Sequence, residues 1–405
     1  MFTTCAHNAG LACGVMLMCA VFFAMVSCSG DQEKPVPGAS VPVPENSMQA
    51  LLDALDSKTE TVVIGDQDGP NLVITPELSA RVLGASLKGT TDENLMWVNK
   101  SIMDGSYWDS RPLDWNSGGL RTWLSPEDIF FLDADYDASK WFVPGEMDPL
   151  ACTVTRKGPN EVTFFAEADI PANIGKSYRV DLSGSIKLVT EPVSDVAPLP
   201  DGVEFLGIVK THTITNKGEL VIGDDLPYVT LWSLFQINPS GTILIPIKPG
   251  YDADKAWRAY FNPLGDRLTV QNDIISVKID GKYRSKVGVR PEAARNGLAF
   301  MRDNGDGTGI LYAQRFEVNP DGIYTDKPWG TDTYGDAIEM YNDDGNGGGF
   351  TEIEAHSQAL KMGQGDSQSH TIELLIFRGP LTDLKSIATK LYDADFNGAY
   401  YYPVQ

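Results

Sequence analysis

From Thr61 onward the apolar residues recur with a period of two, in short runs closed off by Gly, Asn, Asp or Pro. Val62-Val63-Ile64, Leu72-Val73-Ile74, Val162-Thr163-Phe164-Phe165, Ile186-Lys187-Leu188-Val189 and Ile208-Val209-Lys210-Thr211 read as strands. So do Thr242-Ile243-Leu244-Ile245, Ile275-Ser276-Val277-Lys278, Ile310-Leu311-Tyr312 and Ile372-Glu373-Leu374-Leu375-Ile376. Asn216-Lys217-Gly218, Asp280-Gly281 and Asn304-Gly305-Asp306-Gly307 supply turn chemistry between them. Successive side chains of a strand face opposite ways, so such runs bury one side and must stack on another sheet. Many short strands with few helical stretches predict an all-β protein, a large twisted β-sandwich with a few short helices.

Two segments carry the helical period instead. After Ser47, an N-cap residue type, Met48, Leu51, Leu52 and Leu55 fall at i, i+3, i+4 and i+7. After Thr382-Asp383, Leu384, Ile387, Ala388 and Leu391 repeat that spacing. Each predicts one amphipathic helix with a single buried stripe.

The first 27 residues hold no Asp, Glu, Lys or Arg, and Leu11 to Val26 is an apolar run of signal-peptide length, short for a bilayer span. It ends in Met25-Val26-Ser27-Cys28, which resembles a bacterial lipobox. The resemblance implies cleavage before Cys28, a diacylglyceryl group on its thiol, and a lipid-anchored protein of the bacterial cell envelope facing the periplasm or the cell surface. Residues 28–46, with Lys34-Pro35-Val36-Pro37 and Val41-Pro42-Val43-Pro44, read as an extended tether. Residues 47–405 read as a single domain. Four of the five cysteines lie within the first 28 residues. Cys152 is left alone, so no internal disulfide framework exists, and it reads as a small hydrophobe. With 55 acidic against 32 basic residues the chain carries −23. That balance argues against nucleic acid, and equally against anionic lipid headgroups or polyanionic glycans, as the main ligand.

Two stretches resemble the galactose mutarotase-like (aldose 1-epimerase-like) superfamily. Asn71 to Leu83, running on to Leu95-Met96-Trp97-Val98, is similar to its opening hairpin. Glu352-Ile353-Glu354-Ala355-His356-Ser357, the turn Gly363-Gln364-Gly365-Asp366 and the strand opening on His370-Thr371 are similar to its closing strands. Gly118-Gly119-Leu120-Arg121-Thr122-Trp123 resembles an uncharacterised lipoprotein branch. The resemblance implies a supersandwich with a concave, sugar-binding face and places Glu354 on the family's carboxylate base.

An epimerase pairs such a base with an imidazole acid. The superfamily's acid histidine belongs on the strand Tyr228 to Gln236, which contains none; Trp232 or Gln236 stands there instead. His212 and His356 are the remaining candidates, and His370 reads as structural. On the Glu352–His356 strand, Glu352, Glu354 and His356 share a face by period two. Trp97, Tyr107, Trp108, Trp115 and Trp123 crowd one stretch, and one or two of these rings are expected to stack on a sugar. Arg121, with five donors in a fixed fork, suits a hydroxyl pair or a carboxylate.

The expected site therefore comprises Glu354 and His212 as catalytic candidates, with Arg121, Trp123, Gln236 and His356 against the ligand. No cofactor is expected. The run Asp133-x-Asp135-x-Asp137 lacks the Gly and Glu of a calcium loop, and one thiol with three scattered histidines makes no zinc site. The function expected is saccharide binding by a monomeric envelope lipoprotein. The alternative is a carbohydrate epimerase, glycosidase or lyase using Glu354 with His212 or His356.

Overall fold

The computed structural model describes residues 44–403 except 111, 330 and 332–334. The signal segment, Cys28 and residues 28–43 of the tether lie outside the described residues. Among the described residues, nineteen strands form two sheets in which every named pairing is antiparallel. All nine strand runs named above lie within strands.

The nine-stranded sheet runs, edge to edge, Val62–Gly65, Asn71–Thr75, Arg81–Ser86, Leu120–Ser125, Thr230–Ile237, Thr351–His356, Ile338–Asn342, Ser285–Val289, Trp257–Ala259. The ten-stranded sheet runs Leu268–Gln271, Ile274–Ile279, Gly241–Pro246, Gly297–Asp303, Thr308–Phe316, Ser367–Pro380, Glu204–Asn216, Lys176–Val189, Glu161–Ala172, Thr153–Gly158. The main core lies between them. Leu72, Ile74, Val82, Phe235, Ile353 and Ala355 from one sheet pack with Phe164, Ile186, Ile208, Ile243, Phe300 and Ile376 from the other.

Both predicted helices form, and each covers an outer face. Met48–Leu55 is capped by the Ser47 hydroxyl, which accepts from the Ala50 amide at 3.1 Å, and lays Met48, Leu51 and Leu55 on Val73 and Leu83. Gly84 makes this contact possible, since a Cβ there would stand 2.5 Å from the Met48 sulfur. Leu381–Tyr392 packs Leu384, Ile387, Ala388 and Leu391 onto Leu311, Leu375 and Phe377 of the ten-stranded sheet. No helix among the described residues is long and apolar enough to cross a membrane. The outer face of the nine-stranded sheet beyond the first helix is left for polar groups and the loops that cover them.

Candidate functional site

Strand register places the site. Arg121, Leu234, Glu354 and Glu339 stand opposite one another on four adjacent strands, and Trp123, Trp232 and His356 form the next row on the same face. A third row holds Gln236, Glu352, Tyr341 and Lys286. The strand carrying Arg121 and Trp123 is entered through Gly118 and Gly119, both at positive φ (111° and 71°). A Cβ on Gly119 would lie 2.2 Å from the Val82 carbonyl oxygen, so only glycine lets the two strands meet there.

Over these rows lies a cavity of about 290 Å³. Trp115, Trp123, Trp141, Trp232, Phe261 and Trp329 wall it, and Arg121, Lys286, Glu352 and Glu354 give it polar groups. The rings brace one another: Trp115 meets Trp123 and Trp141 edge-on at 5.3 and 5.5 Å, and Trp141 stacks on Phe131 at 5.7 Å. The rim segment Asp343–Gly349 is held by its own first residue, whose carboxylate accepts from the amides of Gly345, Gly347 and Gly349.

The guanidinium of Arg121 lies 4.1 Å from the Trp123 ring centroid and donates to Glu352 at 2.7 Å. Its Nε and Nη1 are buried without a hydrogen-bond partner. Asp148 stands behind it, taking hydrogen bonds from Arg81 Nη2 (2.5 Å), Trp123 Nε1 (2.8 Å) and the Ser79 hydroxyl (2.9 Å).

On the other side the buried Lys286 ammonium lies 2.8 Å from Glu339, 3.3 Å from Asp326 and 3.5 Å from Glu354, with the Trp232 ring at 4.5 Å. One cation thus serves three buried carboxyl groups. Burial works against the Glu339 carboxylate, but Lys286 and His356 hold it well below the usual range. Glu354 goes the other way. Burial raises it well above the usual range, Lys286 opposes, and Glu339, Glu352 and Glu127 reinforce. Its Oε2 accepts from Trp232 Nε1 at 2.9 Å, while its Oε1 is buried with no partner. Asp326, Glu339 and His356 bring donor atoms within 4.8 Å of one another, a grouping that suits a cation. The Lys286 ammonium already binds two of the three.

Residues 46–399 match DUF6786, a family of unknown function. The chain belongs to that family. Among solved structures the DUF6786 chain is similar to an Escherichia coli K12 protein provisionally assigned as an aldose 1-epimerase, at 8% identity over 78% of this chain and 99% of that one, TM-score 0.48. It is similar also to a galactose mutarotase-like protein of Lactobacillus casei, at 12% identity over 78% and 100% of the two chains, TM-score 0.42. A GalM/aldose epimerase homologue from C. elegans gives 10% identity over 80% and 99%, TM-score 0.37. No curated protein matches the chain.

In this DUF6786 chain the expected site residues separate into three groups. Glu354, Arg121 and Trp123 line the cavity together. Gln236 and His356 share the floor strands but are fully buried beneath it. Gln236 donates to Asn116 at 3.0 Å, and Asn116 to the Gly347 carbonyl at 2.8 Å, so it braces the rim. His356 stacks under Trp232 at 5.2 Å and places Nε2 2.9 Å from Glu339. His212 is elsewhere. It sits on Glu204–Asn216 in the ten-stranded sheet, opposite His370, with its ring edge-on to Phe164 at 5.1 Å. Expecting it beside Glu354 is corrected: period two fixes a face, and this face belongs to the other layer.

Of the five crowded aromatics, Trp115 and Trp123 line the cavity, while Tyr107 and Trp108 pack beneath the first helix. Asp133 caps its own turn, accepting from the amides of Asp135 and Asp137, and pairs with Lys140 at 2.9 Å. Cys152 is half-buried against the core, and burial pushes its thiol up to about 12. Sequence reasoning missed Lys286, Trp141, Trp329 and Glu127. Lys286 had one visible signal, a lone charge in the otherwise apolar or small run Ser285-Lys286-Val287-Gly288-Val289.

Proposed function

We propose that this protein is a bacterial envelope lipoprotein whose cavity binds a saccharide. The observation that carries the reading is the wall of tryptophans around a floor of one arginine and two glutamates. Indole faces match the C–H faces of a pyranose, and fixed donors and acceptors read its hydroxyls. A cavity near 290 Å³ suits one sugar ring of a longer chain or a single monosaccharide. The aromatic faces toward Arg121 and Lys286 already carry the protein's own cations, which favours a neutral ring over a cationic ligand.

Calorimetric titration with neutral mono- and oligosaccharides should detect binding. Trp141→Ala should weaken it about tenfold or more, ~1.4 kcal/mol. Unchanged affinity in this variant would remove the tryptophan wall from the reading. The anchor is tested separately. Two acyl chains contribute ~0.8 kcal/mol per buried methylene, so Cys28→Ser should move the protein from the membrane pellet to the soluble fraction. A variant that still pellets after a high-salt wash refutes lipidation at Cys28.

A further inference from the structure

We infer that the cavity is catalytic and hydrolyses an O-glycoside, with Glu354 as the general acid and Glu352 as the base that activates water. The inference rests on the saccharide reading above and adds a reaction to it.

Three observations carry it. First, Glu354 is 1% exposed, lines the cavity, and has one carboxyl oxygen engaged and the other free. Trp232 Nε1 donates to Oε2, leaving Oε1 to carry a proton toward a ligand. A buried polar atom without a partner is costly unless something else completes it, and an ether oxygen of a bound glycoside would.

Second, the two glutamates of one strand have opposite surroundings. Glu352 is bonded to Arg121, a permanent cation two strands to one side. Glu354 shares the Lys286 ammonium, two strands to the other side, with Glu339 and Asp326. Three carboxyl groups, Glu354, Glu339 and Asp326, share that one ammonium, Glu127 and Glu352 add negative charge nearby, and the Arg121 cation is committed to Glu352. One carboxyl of such a set must hold a proton, and divergent environments of this kind divide acid from base.

Third, residues i and i+2 of a strand have Cα atoms about 6.6 Å apart, and Arg121 on one side and Lys286 on the other draw the two carboxyl groups in opposite directions. Carboxyl groups held apart suit inverting hydrolysis, in which they stand roughly 6.5–9.5 Å from each other and leave room for a water between base and sugar.

The step balances. Glu354 gives its proton to the glycosidic oxygen as the C1–O bond breaks, and the bonding pair leaves on that oxygen. Glu352 takes one proton from water as the water oxygen forms the new bond to C1. One water is added across the glycosidic bond with no change of oxidation state, and solvent exchange restores both carboxyls. Lys286 and Trp232 act as positioning residues through their contacts with the Glu354 carboxyl.

The experiment uses the whole chain with methyl glycosides and 4-nitrophenyl glycosides of common hexoses, pentoses and hexuronic acids. The expected result is hydrolysis in which the first product seen by proton NMR has inverted anomeric configuration. Glu354→Gln should lose about 10²–10⁴-fold on methyl glycosides and much less on 4-nitrophenyl glycosides, whose leaving group needs no acid. Glu352→Gln should lose as much on both. Calorimetric binding of the same glycosides by Glu354→Gln shows whether that variant keeps its site. Binding without turnover by the unaltered protein overturns the catalytic inference and leaves saccharide binding standing. No binding to any of the glycosides overturns both. Equal losses on the two leaving groups overturn Glu354 as acid, and retained configuration overturns Glu352 as base.

Discussion

Lys286→Met is expected to lose about 3–5 kcal/mol of folding stability at neutral pH, because it leaves buried carboxylates without their cation. The loss should depend on pH, and its sign follows from the proton count. In the unaltered protein Glu339 is held below its usual range. Its contribution is therefore present above the unfolded carboxylate value and is lost as pH falls through the folded one. Without the ammonium, Glu339 and its neighbours must take up protons to be buried. The folded variant then binds more protons than the unfolded chain, so its stability falls as pH rises through and above the carboxylate range. Denaturant unfolding at pH 4.5 and pH 8 should show the larger penalty at pH 8. Equal penalties at the two pH values would mean that Lys286 acts through packing alone.

Asp148→Asn is expected to cost about 3 kcal/mol, for the mirror-image reason. The carboxylate is 2% exposed and bonds Arg81, Trp123 and Ser79, with Arg121 Nε at 4.0 Å. Removing its charge leaves the buried Arg81 guanidinium without its carboxylate. The Lys210 amine feels the same charges: its Nζ has no hydrogen-bond partner, and burial, aided by Arg81, brings it down to about 7. Lys210→Met should thus stabilise the Asp148→Asn background by about 1 kcal/mol more than it stabilises the unaltered protein, a coupling readable in a double-mutant cycle. Strict additivity of the two changes would place Lys210 outside the Asp148 field.

The two-sheet architecture was legible because strand alternation is local. Ile353 and Ala355 face the core and Glu352 and Glu354 the opposite side whatever lies beyond them. Arg121 and Trp123 shared a face for the same reason. What alternation does not encode is which layer a strand joins. Glu204–Asn216 and Thr230–Ile237 are consecutive strands, yet they enter different sheets, and His212 goes with the first. Burial by loops is equally silent in the sequence. Gln236 and His356 point to the correct side and are roofed by Asn116 and Trp232, contributed from elsewhere. Lys286 escaped the sequence reading because the carboxyl groups that make its burial tolerable come from residues 326, 339 and 354, each remote in sequence.

The sheet order also bears on how the chain is made. Thr351–His356 lies between Thr230–Ile237 and Ile338–Asn342, and Ser367–Pro380 lies between Thr308–Phe316 and Glu204–Asn216. Both inserted strands are made after the strands on either side of them, and at roughly 5–20 residues per second Thr351–His356 follows Thr230–Ile237 by on the order of 6–23 s. Until they arrive, each sheet exists as two halves whose inner edges present unpaired amides and carbonyls to any neighbouring chain. A nascent chain of this topology exposes those edges until the inserted strands are made, and a stop codon ahead of residue 351 leaves four half-sheets and a cavity without Glu352 and Glu354.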